Sequence, residues 1–181
     1  MKPLDRLGER ERGVVEERRT RGYARGPLTR FPGELDVVLR VLVARLLPGV
    51  PAHIDLAAFV DAYTGHQLGR GDREVGTPPE PELFDGGLRA LASIEFVDLT
   101  EREQRALITR MRRGEADAEL AFPAKAFIDR LLDKALTGYL AHPDTWERIG
   151  FNGPAYPEGY AWIGPVEVVA RRDHKAGWDR L

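Results

Sequence analysis

An all-α fold, an irregular helical bundle, is what the 181-residue sequence predicts, and three features carry that expectation. Apolar residues recur at i, i+3, i+4 and i+7 in four or five separate segments, the period of a helix with one buried face. Helix punctuation brackets those segments: a capping box, prolines in first turns, and glycines just past the ends. Strand patterning is scarce. The only strand-like run is Val166 to Ala170, and five residues cannot build a sheet alone.

The chain opens on a basic arm, residues 1–30. It holds nine Lys/Arg against five acids, a balance of +4, while the rest of the chain carries 18 basic and 24 acidic residues, or −6. Few apolar residues interrupt the charges, so the arm suits disorder or a solvated helix rather than a packed element. Gly22, Gly26 and Pro27 end it. The first firm helix is expected from about Glu34 to Leu47. Leu35, Val38, Leu39, Leu42, Val43, Leu46 and Leu47 form its stripe, Val37 and Val41 widen that stripe towards burial on most sides, and Pro48-Gly49 stops it. Asp55 can cap a second helix carrying Leu56, Phe59, Val60 and Tyr63. Residues 69–81 read as a polar, proline-bearing loop.

A third helix runs through Leu83, Phe84, Leu88 and Leu91. Its Gly86-Gly87 pair either weakens it, by roughly 1 kcal/mol per residue relative to Ala, or admits a neighbouring backbone closely. Thr100-Glu-Arg-Glu103 is a capping box opening a helix to about Arg113, with Leu107, Ile108 and Met111 inward and Gly114 as its stop. The last long helix begins at Phe122-Pro123 and ends at His142-Pro143. Phe127, Ile128, Leu131, Leu132, Ala135, Leu136 and Tyr139 are its expected inner stripe.

Beyond it, residues 137–160 turn into a run of glycines, prolines and aromatics. Such residues lose little entropy on packing. The stretch therefore suits a long ordered loop, either a cover laid over the helices or a surface offered to a partner. Tyr156, Tyr160 and Trp162 each keep a polar atom that fits a half-wet interface, whereas Phe151 has none and is expected to point inward.

Composition excludes several chemistries. The chain has no cysteine, hence no disulfide, thiolate metal site, cysteine nucleophile or cysteine-ligated cluster. Its longest apolar segment, Leu35 to Leu47, is broken by Asp36, Arg40 and Arg45 and falls short of a membrane span. Arg18-Arg19 has no apolar run after it, which argues against a twin-arginine leader and for a cytoplasmic protein, a periplasmic complex being the alternative. No phosphate-binding glycine motif follows a strand, so the chain shows no means of holding its own flavin or nucleotide. His53, His66, His142 and His174 share no metal-ligand spacing.

His142, at a helix C-terminus that favours a charged imidazole and two residues before Asp144, is the natural candidate for a catalytic base. The only serine is Ser93, however, and no nucleophile stands nearby, so a structural role for His142 is the stronger reading. Asp129 with Asp133, and Glu115 with Asp117 and Glu119, read as solvated faces. The arginines of residues 10–25 are interleaved with glutamates around a single aromatic, Tyr23, a poor nucleic-acid footprint.

The same C-terminal stretch carries a resemblance. Gly138-Tyr-Leu-x-His142-Pro, Trp146, Ile149-Gly-Phe-x-Gly-Pro-Ala-Tyr156 and Gly159-Tyr160 are similar to the signature of the gluconate 2-dehydrogenase subunit 3 family. Ala44-Arg-Leu-Leu-Pro-Gly49, Phe59-Val-Asp61 and Thr100 to Leu107 resemble the family's upstream half, and the likeness spans roughly residues 31 to 162. It implies a helical domain over 31–162 with a docking tail at 163–181. It also implies a non-catalytic small subunit whose partner is a larger FAD-dependent dehydrogenase of the glucose–methanol–choline type, with a cytochrome subunit as a further candidate partner. On that reading His142, Trp146, Tyr156, Tyr160, Trp162 and Trp178 are the candidate partner-binding residues. Two other classes stay open: a small enzyme using His142 and Asp144, and a nucleic-acid-binding or scaffold protein using the basic arm.

Overall fold

The computed structural model describes residues 7–65 and 77–151. Among them are eight helices and no strand: α1 Glu9–Gly22, α2 Glu34–Leu46, α3 Leu56–Tyr63, α4 Glu80–Ser93, α5 Glu101–Arg113, α6 Asp117–Leu120, α7 Ala124–Ala141 and α8 Pro143–Trp146. The all-α expectation holds. Most of the polar loop, the strand-like run at 166–170, His66, His174 and the C-terminal aromatic loop with its tail lie outside the described residues.

Helix α7 is the axis of the bundle, in contact with α2, α3, α4, α5, α6 and α8. Its inner face is Ala124, Phe127, Ile128, Leu131, Ala135 and Gly138, alternating large side chains with small ones. The small positions let neighbours in. A Cβ placed on Gly138 would lie 2.5 Å from the Phe59 ring, and one on Gly87 of α4 would lie 2.5 Å from the Phe127 ring. The paired glycines of α4 therefore serve close packing. The helix tolerates them because Leu83, Phe84, Leu88 and Leu91 are almost wholly buried around them.

The predicted caps are present. The Asp55 carboxylate accepts from the Ala58 N–H at the start of α3. Thr100 and Glu103 complete the capping box of α5, and Gly114 closes that helix in the left-handed conformation. Two inward assignments need correction. Val37 is 49% exposed, so α2 is buried on one side only. Leu136 is 40% exposed, because it sits a full helical step around from the Leu131–Ala135 row.

The arm between the basic terminus and α2 is tied down by carboxylates, one of them buried and the others half-buried. Asp61 of α3 accepts four hydrogen bonds: from the Thr29 N–H (3.1 Å) and hydroxyl (2.9 Å), the Arg30 N–H (2.8 Å) and the Phe31 N–H (3.0 Å). Asp36 accepts from the Leu28 N–H, and Arg40 joins Asp36, Asp55 and the Gly26 carbonyl. These bonds seat Leu28 and Phe31 in the core. Helix α1 itself is solvated along most of its length, yet Leu7 before it and Tyr23 after it are buried.

Polar side chains close two further joints. Gln104 is buried, donates to the Phe96 carbonyl and accepts from Arg45, which ties the α4–α5 connection to α2. Glu80 accepts from the Gly65 N–H, Arg130 and Lys134. Burial pushes the Glu80 carboxyl up, but those bonds outweigh it and hold it below the usual carboxylate range.

Asp61→Asn tests the anchor. It keeps the shape but turns one acceptor oxygen into a donor among donors. The expected loss of unfolding free energy in urea is about 2–4 kcal/mol, and a loss under about 0.5 kcal/mol would remove Asp61 from this role.

Candidate partner-binding surface

Pro143 sets the local geometry where α7 ends. A residue before proline is driven out of the helical region, and His142 is extended, with φ −73° and ψ 127°. Pro143 then sits in the first turn of α8, where its missing N–H costs nothing. His142 thus ends one helix and caps the next: its Nδ1 accepts from the Asp144 N–H at 3.2 Å. The Thr145 hydroxyl lies 2.7 Å from the His142 carbonyl and 2.8 Å from that of Tyr139, so it tightens the same corner.

His142 is 1% exposed. Its ring packs edge-on against Tyr23, with centroids 4.7 Å apart, and lies 5.9 Å from the His53 ring. Tyr23 donates to the Gly138 carbonyl at 2.6 Å and continues into a row with Phe59 and Tyr63. Burial pushes the Tyr23 hydroxyl well above its ordinary value, with Tyr63 adding to it. Burial also lowers the His142 pKa, against a smaller upward pull from Asp144. The pull towards a charged imidazole expected at a helix end is thus opposed by burial, and the Nδ1 that accepts the Asp144 N–H is the unprotonated nitrogen. Asp144 pairs instead with His53 (2.9 Å) and Arg19 (3.5 Å), and lies 3.9 Å from His142.

Beyond α8 the chain turns at Gly150, and the Phe151 N–H donates to the Trp146 carbonyl at 2.8 Å. Trp146 is buried, and the Phe151 ring meets it edge-on at 5.3 Å. Phe151 is nevertheless 43% exposed, which corrects its inward assignment: the Trp146 ring fills the inner place and Phe151 lies over it. Ile149 (45%), Leu140 (41%) and Leu136 (40%) are exposed as well. Four of the six exposed large hydrophobics among the described residues thus fall between 136 and 151. Leu136 and Leu140 share one face of α7, four residues apart.

Of the six candidate partner-binding residues, the structure describes His142 and Trp146, both buried, at the start and the end of α8. Tyr156, Tyr160, Trp162 and Trp178 lie outside the described residues. The sequence reading missed Tyr23, His53 and the outward pair Leu136 and Leu140. One signal was there: Leu132, Leu136 and Leu140 form an i+4 row of their own, distinct from the core stripe.

As a catalytic base His142 is poorly placed, since its Nδ1 is taken by a backbone N–H and its ring is sealed. Ser93, the one serine, donates to its own helix at Ala90. Among the described residues no group of three His, Asp or Glu is arranged to hold a metal ion, and no helix is long and apolar enough to cross a membrane. A concavity of about 290 Å³ lies between the end of α2 and the loop before α3, lined by Val43, Leu47, Val50 and Ile54. The charged side chains in its wall, Arg40 and Asp55, pair with each other.

The model of the gluconate 2-dehydrogenase subunit 3 family covers residues 36–153, well over half of the chain. No match was found among curated proteins or among solved structures.

Tyr23→Phe, which removes only the bond to the Gly138 carbonyl, should cost about 1 kcal/mol in thermal melts. Tyr23→Ala, which also empties the aromatic row, should cost about 3–5 kcal/mol. Equal losses for the two would mean that the hydroxyl alone holds the corner.

Proposed function

The chain belongs to the gluconate 2-dehydrogenase subunit 3 family, and from that premise we propose that it is a non-catalytic accessory subunit of a dehydrogenase complex. In this reading it binds and stabilises, or helps to mature, a larger catalytic subunit of the glucose–methanol–choline type. That partner holds the FAD and does the redox chemistry; a cytochrome subunit is a further candidate member of the complex.

The observation that carries the reading is the apolar end of the bundle. Leu136, Leu140, Ile149 and Phe151 are exposed in the segment that runs through the turn from α7 into α8, and Tyr156, Tyr160 and Trp162 follow in sequence. Aromatic and aliphatic anchors on a preformed support bind at low entropic cost. Other described faces carry exposed i, i+4 ion pairs, Arg89–Asp85, Arg105–Glu101 and Lys125–Asp129, with only Val14 and Val37 as exposed large hydrophobics. Against the enzyme reading stands the engaged Nδ1 of His142. Against nucleic-acid binding stand the arm's interleaved acids, one of which, Glu16, faces Arg19 at 3.6 Å.

Co-expression with a candidate flavoprotein catalytic subunit tests the proposal. Leu140→Glu, Phe151→Ala, Tyr156→Ala and Trp162→Ala should each cut co-purification about tenfold or more, with the free subunit's helicity and melting changed by under about 1 kcal/mol. Val37→Glu, on another exposed face, should leave co-purification intact. Undiminished co-purification of all four variants, or turnover by the chain alone, would overturn it.

A further inference from the structure

His142 is held in a way that only the neutral ring permits. Its Nδ1 lone pair receives the Asp144 N–H, so a proton on Nδ1 would set one donor against another. The groups around it come from every element at the corner. Arg19 and Glu16 lie on α1, Tyr23 at its end, His53 in the loop before α3, and Asp144 on α8. Among the described residues Asp144, with an oxygen 3.9 Å from Nδ1, makes the stronger carboxylate pull on that charge, with Glu16 adding a smaller one, but it already serves His53 and Arg19.

From this geometry we infer that His142 is a proton-operated latch: protonation breaks the cap of α8, draws Asp144 from His53 towards His142, and loosens the corner carrying Trp146, Ile149 and Phe151. The device would make the order of the apolar end depend on pH. It concerns the free chain and stands whether or not that end meets a dehydrogenase subunit.

The direction follows from burial. A histidine that is harder to protonate when folded contributes stability that is complete above its ordinary value of 6.5. That stability is lost as pH falls from there through the lowered folded value. The latch is therefore closed at neutral pH and opens in acid.

Two measurements on the free full-length chain decide it. Nitrogen-15 NMR of the histidine rings at about pH 7 should show His142 as the Nε2–H tautomer, with Nδ1 bare. Between about pH 7 and pH 5, amide exchange at Thr145 to Ile149, corrected for intrinsic rates, should accelerate about tenfold or more in step with His142 titration, while α5 stays protected. In His142→Asn the amide side chain can still cap α8 through its oxygen but cannot titrate, so this acid response should vanish. An Nδ1–H tautomer at neutral pH would overturn the latch. So would titration of His142 without faster α8 exchange, or an unchanged acid response in His142→Asn. The tautomer measurement is made on the wild-type chain and stands even if the variant folds poorly.

Discussion

The carboxylate of Asp61 is the constraint from which the rest of the architecture follows. A buried charge without partners would be intolerable, and four donors from Thr29, Arg30 and Phe31 satisfy this one. In doing so they fix where the N-terminal segment crosses α3. Phe31 drops into the core, and Tyr23, upstream of it, reaches the backbone of α7 at Gly138. That contact in turn supplies the wall against which His142 packs. A charge in α3 is thus linked through a short segment to the corner where α7 gives way to α8.

The division of labour between surfaces has a physical basis. Helices α4, α5 and α7 carry exposed ion pairs that add little stability but keep those faces in water. Four of the six large apolar residues exposed among the described residues fall in the segment from Leu136 to Phe151, where Trp146 and His142 are buried and Phe151 lies against Trp146. Rigid backing beneath exposed apolar side chains is what a docking surface needs, since little ordering remains to be done on binding. A family of dehydrogenase subunits is a fitting place for such a design.

Much of the fold was legible in the residues. The capping box at Thr100, the Asp55 cap, the stop at Gly114 and the period of α2, α5 and α7 are local signals, and local signals survive folding. What escaped was set by distant partners. Leu136 counts as apolar in any window, yet its direction depends on which face α7 gives to α3 and α4. Val37 is the same case on α2. Tyr23 sits in a charged arm and gives no sign that its hydroxyl will meet a carbonyl 115 positions later. His142 was legible as a structural residue from its place before Pro143, but its lowered pKa was not, because the burial that outweighs the pull of Asp144 exists only once the chain has folded around the ring.

The central claim is that the end of the bundle formed by residues 136–151 is where a partner sits. Hydrogen–deuterium exchange on the subunit alone and within a co-purified flavoprotein complex addresses it directly. The account predicts new protection concentrated on the C-terminal turn of α7, on α8 and on the residues through Phe151, with α2 and α5 unchanged. Protection confined to α1 or α5, with residues 136–151 exchanging alike in both states, would contradict it.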